Sequence, residues 1–143
     1  MENELKLDQQ LCFSVYVLHR EMMQYYRPLL ERMDLTYPQF IVLMALWEHG
    51  KATVNQIGEI LQLDSGTLTP LLKRMESKGL LNRTRSKVDE RVVEISLTPK
   101  GDELRHLANC IPGQIIQSMG VKQEDLAALK QSIDNLLRKK TED

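Results

Sequence analysis

The sequence predicts a mainly α-helical chain in which one small antiparallel hairpin interrupts a run of helices. Three observations carry that prediction. Apolar residues recur at helical spacing near the chain start, at Leu11, Val15, Leu18, Met22, Tyr26, Leu29, Leu30 and Met33. The period then shortens to that of strands in "LLNRTRS" and "RVVEISLT", which flank the polar turn "KVDE". Two helical segments joined by almost no linker precede that hairpin.

Each element has its own signal. Asp8 is placed to cap a first helix through "QQLCFSVYVLHREMMQYYRPLLERM", and Pro28 is expected to kink or divide it. In "DLTYPQ", Thr36 and Gln39 have capping-box spacing, and Pro38 falls in the first turn, where a missing N–H costs little. "FIVLMALWEHG" is apolar nearly all round, which predicts a buried central helix ending at Gly50. Thr53 and Gln56 repeat the capping box ahead of "VNQIGEILQL", with Val54, Ile57, Ile60 and Leu61 inward. In "DSGTLTPLLKRMESKG", Asp64 or Ser65 is the cap and Gly79 the stop, while Pro70 leaves the start open. Leu68, Leu71, Leu72 and Met75 form the inner face of that helix, leaving Thr67, Thr69, Lys73 and Arg74 on the other side. After the hairpin, Thr98-Pro99 opens a helix that Pro112 interrupts. A last amphipathic helix in "VKQEDLAALKQSIDNLLRKK" aligns Leu126, Leu129, Ile133, Leu136 and Leu137.

The totals bound the function. With 143 residues, the chain is expected to be one domain, 1–143, large enough to bury a core without disulfides. Two cysteines almost a hundred residues apart are no disulfide framework. The acidic, polar "MENELKLDQQ" is unlike a secretory signal, and no apolar run reaches membrane-span length. A cytoplasmic protein without a membrane partner is expected, and there a working cysteine is redox-active before it is structural. His19, His49 and His106 are scattered without ligand spacing, so neither a metal nor another cofactor is expected. The formal net charge is −1, yet residues 64–91 carry +3 and the remainder −4. A basic patch on an acidic body points to a polyanion.

Helix, short helix, tight turn, basic helix and charged hairpin, in that order, describe a winged helix-turn-helix over about 36–99. A helix with short polar and basic side chains on its outer face fits the DNA major groove, and hairpin arginines reach phosphates or the adjacent minor groove. The helices over about 5–33 and 100–143 carry apolar stripes that this module cannot cover. A shared homodimer interface is the expected solution, and two basic helices related by a two-fold axis then meet a pseudo-palindromic operator in double-stranded DNA.

Several segments in order, "QLCFSVY", "LTYPQF", "LWEHG", "LDSGTLTPLLKRMESKGL" and "RTRSKVDERVVEISLT", resemble the MarR-type transcription regulators throughout the chain. "QLCFSVY" with "LTYPQF" is most similar to the OhrR branch, the organic-hydroperoxide-sensing repressors. Thiol-sensing virulence and biofilm regulators share those segments, so the regulon stays open. The resemblance implies that Cys12 is the peroxide-reactive thiol and that Tyr26 and Tyr37 hydrogen-bond to it. Cys12 and Tyr26 are fourteen residues apart on one expected helix, roughly 21 Å of rise, so one chain brings them together only if that helix breaks, whereas a dimer with crossing first helices does so directly. Cys110 is a candidate resolving thiol for an intersubunit disulfide with Cys12; capping of Cys12 by a small thiol is the alternative. By the same resemblance the DNA contacts are Ser65, Thr67, Thr69, Lys73 and Arg74 on the recognition helix, with Arg83, Arg85 and Arg91 on the wing. Asp89 is expected to support the wing by orienting Arg91.

The expected function is a redox-sensing DNA-binding regulator, a repressor released when organic hydroperoxide oxidises Cys12. The chain is not expected to be an enzyme, because no catalytic His or Arg constellation accompanies Cys12; a thiol peroxidase is the enzymatic rival. A MarR-type repressor of phenolic or lipophilic ligands, with Cys12 structural, is the other. Met22, Met23 and the aromatics are its candidate pocket.

Overall fold

The computed structural model describes residues 5–141, with side chains to Arg138. The outer limits of the expected single domain, 1 and 143, lie outside these residues. Among the described residues, seven α-helices and three strands follow in the order α1 (Leu11–Glu31), α2 (Tyr37–His49), β1 (Ala52–Thr53), α3 (Val54–Leu61), α4 (Ser65–Ser77), β2 (Leu81–Arg85), β3 (Val93–Leu97), α5 (Pro99–Ala108), α6 (Ile111–Met119) and α7 (Gln123–Thr141). A short 3-10 turn, Leu7–Gln9, precedes α1.

The chain forms two compact units: residues 26–109, and the two terminal segments to 25 and from 110. The first unit is wider at both ends than the 36–99 read from the sequence, since Leu30, Met33, Leu35 and Ala108 are also buried. It is the winged helix-turn-helix. Its core is α2, in which Val42 and Leu43 are fully buried, with Ile57 of α3, Leu68, Leu72 and Met75 of α4, and Ile95 of β3. The sheet is antiparallel in the order β1-β3-β2. The hairpin register pairs Leu81 with Leu97 and Arg85 with Val93. The strand β1 adds Ala52 opposite Ile95, a pairing too short to show any period in the sequence.

Local chemistry sets the boundaries. Both capping boxes form: Thr36 with Gln39 opens α2, and Thr53 with Gln56 opens α3. Asp64, not Ser65, caps α4, accepting from the Thr67 N–H at 2.7 Å. Thr98 caps α5 through the Gly101 N–H, with Pro99 in the first turn. Gly101 lies so close to the Leu80 carbonyl that an added Cβ would stand 2.1 Å from its oxygen.

Four local expectations are corrected. Asp8 sits inside the 3-10 turn and does not cap α1. Pro28 does not divide α1, which continues to Glu31; a proline near a helix end removes one hydrogen bond and leaves the neighbouring turns to hold. Ile60 is exposed, because the inner face of α3 is satisfied by Ile57. Pro112 opens α6 from its first turn instead of breaking α5, which has already ended at Ala108.

The terminal unit contains the start of α1, with α6 and α7. Ile111 and Ile115 are its buried apolar residues among those described. Leu11, Val15, Leu136 and Leu137 stay exposed.

Candidate nucleic-acid interface and thiol sensor

The helix α4 is built to be read from outside. Its inner face, Leu68, Leu71, Leu72 and Met75, is buried. Ser65, Thr67, Lys73 and Arg74 are exposed and Thr69 is half-buried. Hydrogen bonds from Thr67, side chain first and backbone second, hold the Asp64 carboxyl below the usual carboxylate range. Asp64 is thus a charged cap at the positive end of the helix, which suits that charge.

The wing arginines are not equivalent. Asp89 Oδ1 accepts from the Arg91 backbone N–H at 3.1 Å and from its Nε at 3.3 Å. The pair fixes the loop between β2 and β3 and aims a side chain that is 91% exposed. Arg85 is exposed, with Nη1 3.4 Å from the Glu90 carbonyl. Arg83 is different. Its side chain is only 21% exposed, its backbone N–H donates to Glu76 Oε2 at 3.1 Å, and its Nη1 lies 4.0 Å from Glu76 Oε1. Glu76 therefore ties the start of the wing to the last turn of α4, and Arg83 Nε is buried with no hydrogen-bond partner within the chain.

Of the thiol-sensing set, the structure brings Tyr26 and Tyr37 together. Their rings are 5.0 Å apart at 65°, edge to face, and Phe40 lies 6.3 Å from each. Partial burial pushes both phenols up from their ordinary pKa, and Tyr37 adds to the rise at Tyr26. Cys12 is exposed in the first turn of α1, and Cys110 is exposed at the N-cap of α6. No disulfide occurs among the described residues. No cluster of His, Cys, Asp and Glu there is suited to a metal ion.

Sequence reasoning missed Glu76, Gln39 and Lys78. Gln39 was read only as half of a capping box. It is also buried, at 6% exposure, and receives a hydrogen bond from Lys78 Nζ across thirty-nine residues. Lys78 was counted only as local positive charge. Neither partnership is periodic, so the chain offers no local signal of it.

The family described as transcriptional regulator SarA/Rot matches residues 24–108, nearly the span of the compact winged unit. The chain belongs to the MarR/SarA family of winged-helix transcription regulators. One relative is the organic hydroperoxide resistance transcriptional regulator of Bacillus subtilis, 51% identical over 140 residues, covering 96% of this chain and 95% of the relative. Another is AbfR of Staphylococcus epidermidis. AbfR has been solved reduced and bound to DNA (TM-score 0.78, 34% identity, 96% of each chain). It has also been solved overoxidised and bound to DNA (0.76, 34%, 96% and 97%), and in a disulfide form (0.65, 35%, 95% and 96%). This MarR/SarA chain is thus a transcription regulator and not an enzyme. No helix among its described residues is long and apolar enough to cross a membrane.

Proposed function

We propose that the chain is a homodimeric repressor that leaves its operator when an organic hydroperoxide oxidises Cys12. One observation carries the reading: Cys12 is an exposed thiol in a chain 51% identical to an organic hydroperoxide resistance regulator over nearly its whole length. A thiolate attacks one peroxide oxygen, the S–O bond forms as O–O breaks, and the alkoxide takes a proton and leaves as the alcohol. The resulting sulfenic acid is consumed by a second thiol with release of water. That thiol is either Cys110 across the interface or a small free thiol, and a covalent dimer on a non-reducing gel separates the two.

The unbroken α1 supports a sensor shared by two chains. Fourteen residues of continuous helix put roughly 21 Å of rise between Cys12 and Tyr26. The tyrosine pair of one chain is therefore assigned to the thiol of the other. Leu11 at 70% exposure and Leu136 at 62% supply apolar surface for that pairing. Arg91, aimed by Asp89, is assigned to the minor groove. Ser65, Thr67, Thr69, Lys73 and Arg74 are assigned to the major groove, and Arg85 to phosphate. Arg83 is assigned to the wing contacts as well, its backbone N–H anchored on Glu76 and its Nη1 4.0 Å from Glu76 Oε1.

The test is anisotropy of promoter DNA with wild type and Cys12→Ser, each with and without a stoichiometric organic hydroperoxide. Stoichiometry matters because an overoxidised AbfR sits on DNA. Release of wild type alone supports the reading; two variants that bind and do not respond refute it.

A second reading has one observation in its favour. A cleft of about 540 Å³ between the start of α2 and α4 is lined by Thr36, Pro38, Ile41, Leu71 and Arg74 among others. A phenolic ligand held there would act on α4 without Cys12. Met22 and Met23, expected to line such a pocket, are not among its walls. Release of Cys12→Ser by a phenolic acid would favour this reading.

A further inference from the structure

We infer that Lys78 is a positioning residue, a strut that couples the Tyr37 end of α2 to the C-terminal end of the recognition helix; this rests on the proposed release of DNA by Cys12 oxidation. Lys78 is the C-cap of α4. Its side chain is only 29% exposed. Its Nζ donates to the Asp34 carbonyl and to Gln39 Oε1 at 3.3 Å, and it lies 3.5 Å from Asp34 Oδ2. An ammonium has three hydrogens, and three oxygens stand within reach of this one. Lys78 is therefore committed to the protein, although it belongs to the segment whose positive charge suggests a DNA surface.

Its partners sit where the tyrosine pair is anchored. Asp34, at φ 54, lies in the turn between α1 and α2. Gln39 Oε1 also accepts from the Thr36 N–H at 3.1 Å, and the Gln39 N–H donates to Thr36 Oγ1 at 3.3 Å. Tyr37 is enclosed by that capping box, and the next residue after Gln39 is Phe40, which packs on both tyrosines. On the other side, the Lys78 carbonyl accepts from Lys100 Nζ at 2.9 Å, which adds α5 to the same joint. A shift of Tyr37 moves Gln39, and Gln39 is bonded to the end of α4. Gln39 is buried and its Oε1 is held by both the Thr36 N–H and Lys78 Nζ, so it has few alternative arrangements and passes a displacement on.

The role predicts a change in coupling, not in affinity. Lys78→Met keeps the length and apolar stem and removes the ammonium. Reduced Lys78→Met is expected to bind promoter DNA within about threefold of wild type, with Cys12 sulfenate forming at the wild-type rate. Peroxide is expected to lower wild-type affinity about tenfold or more, a typical allosteric factor, and that of Lys78→Met less than about threefold. Lys78→Arg, which keeps the charge and the donors, is expected to restore most of the response. An equal peroxide response in wild type and Lys78→Met overturns the inference, as does a large loss of affinity in the reduced variant with the peroxide factor unchanged. A wild type that ignores peroxide removes the proposed function itself and the strut with it. Should Lys78→Met not fold, amine labelling of the wild type decides. Lys78 is expected to be protected when reduced and modified faster after Cys12 oxidation, and equal labelling in both states overturns the inference.

Discussion

Residues 26–109 and the terminal segments show similar helical periodicity and opposite outcomes. In the winged unit most periodic apolar positions are buried: Leu43, Leu68, Leu72 and Met75 are fully enclosed. In the terminal unit Val15 is 53% exposed and Leu137 48%, although their spacing is as regular. Periodicity names the face a helix offers, not the partner that covers it. The difference divides the work as well. The middle of the chain holds the surface proposed to read DNA, and the ends hold the thiol and the apolar stripes proposed to join two copies.

Leu72→Ala should break the middle first. It removes a fully buried side chain and is expected to cost about 2–5 kcal/mol by denaturant unfolding. A loss under about 1 kcal/mol would mean that the core repacks freely. Leu136→Glu is the corresponding change at the ends. It should leave the folding of the winged unit untouched and weaken the dimer by about 1.5–3 kcal/mol, the scale of one buried leucine. Sedimentation at falling concentration reads that change, and an unaltered dimer would take α7 out of the interface.

Arg91→Ala divides reading from folding. Its ion pair with Asp89 is on the surface, where such pairs add little stability, so melting should not move. Promoter affinity should fall by about 1–3 kcal/mol, and equal affinity would remove Arg91 from the groove.

The smallest effect is the pH dependence of the tyrosine pair. Both phenols are raised above the ordinary value of 10.0, so the fold favours their protonated form. Their contribution to stability is complete below pH 10.0, the unfolded value, and is lost as pH rises through the higher folded values. Tyr26→Phe/Tyr37→Phe should flatten the alkaline limb of a stability profile; an unchanged limb would place the titration elsewhere.

Much of the fold was legible because caps are local. Thr36 with Gln39, Thr53 with Gln56 and Thr98-Pro99 each declare a helix start within four residues, and each opens one. The hairpin was legible from its change of period, whereas β1 has two residues and no period at all. Pro28 does not divide its helix, which has only three residues left to run. On the wing, Asp89 and Arg91 are two residues apart, so their pairing was readable. The bonds from Arg83 to Glu76 and from Lys78 to Gln39 depend on tertiary approach and on no pattern in the chain. The tyrosine pair came from resemblance, since eleven residues and a turn separate its members.

In the proposed sensor, a thiol of one chain is served by the tyrosines of another. Mixed dimers test it directly, one chain carrying Cys12→Ser and the other Tyr26→Phe/Tyr37→Phe. In such a dimer the remaining Cys12 faces intact tyrosines only if the set is built across the interface. Promoter release by stoichiometric organic hydroperoxide should therefore persist in the mixed dimer and be lost in both parent homodimers. A mixed dimer as unresponsive as its parents would mean that the thiol and its tyrosines do not meet across the interface.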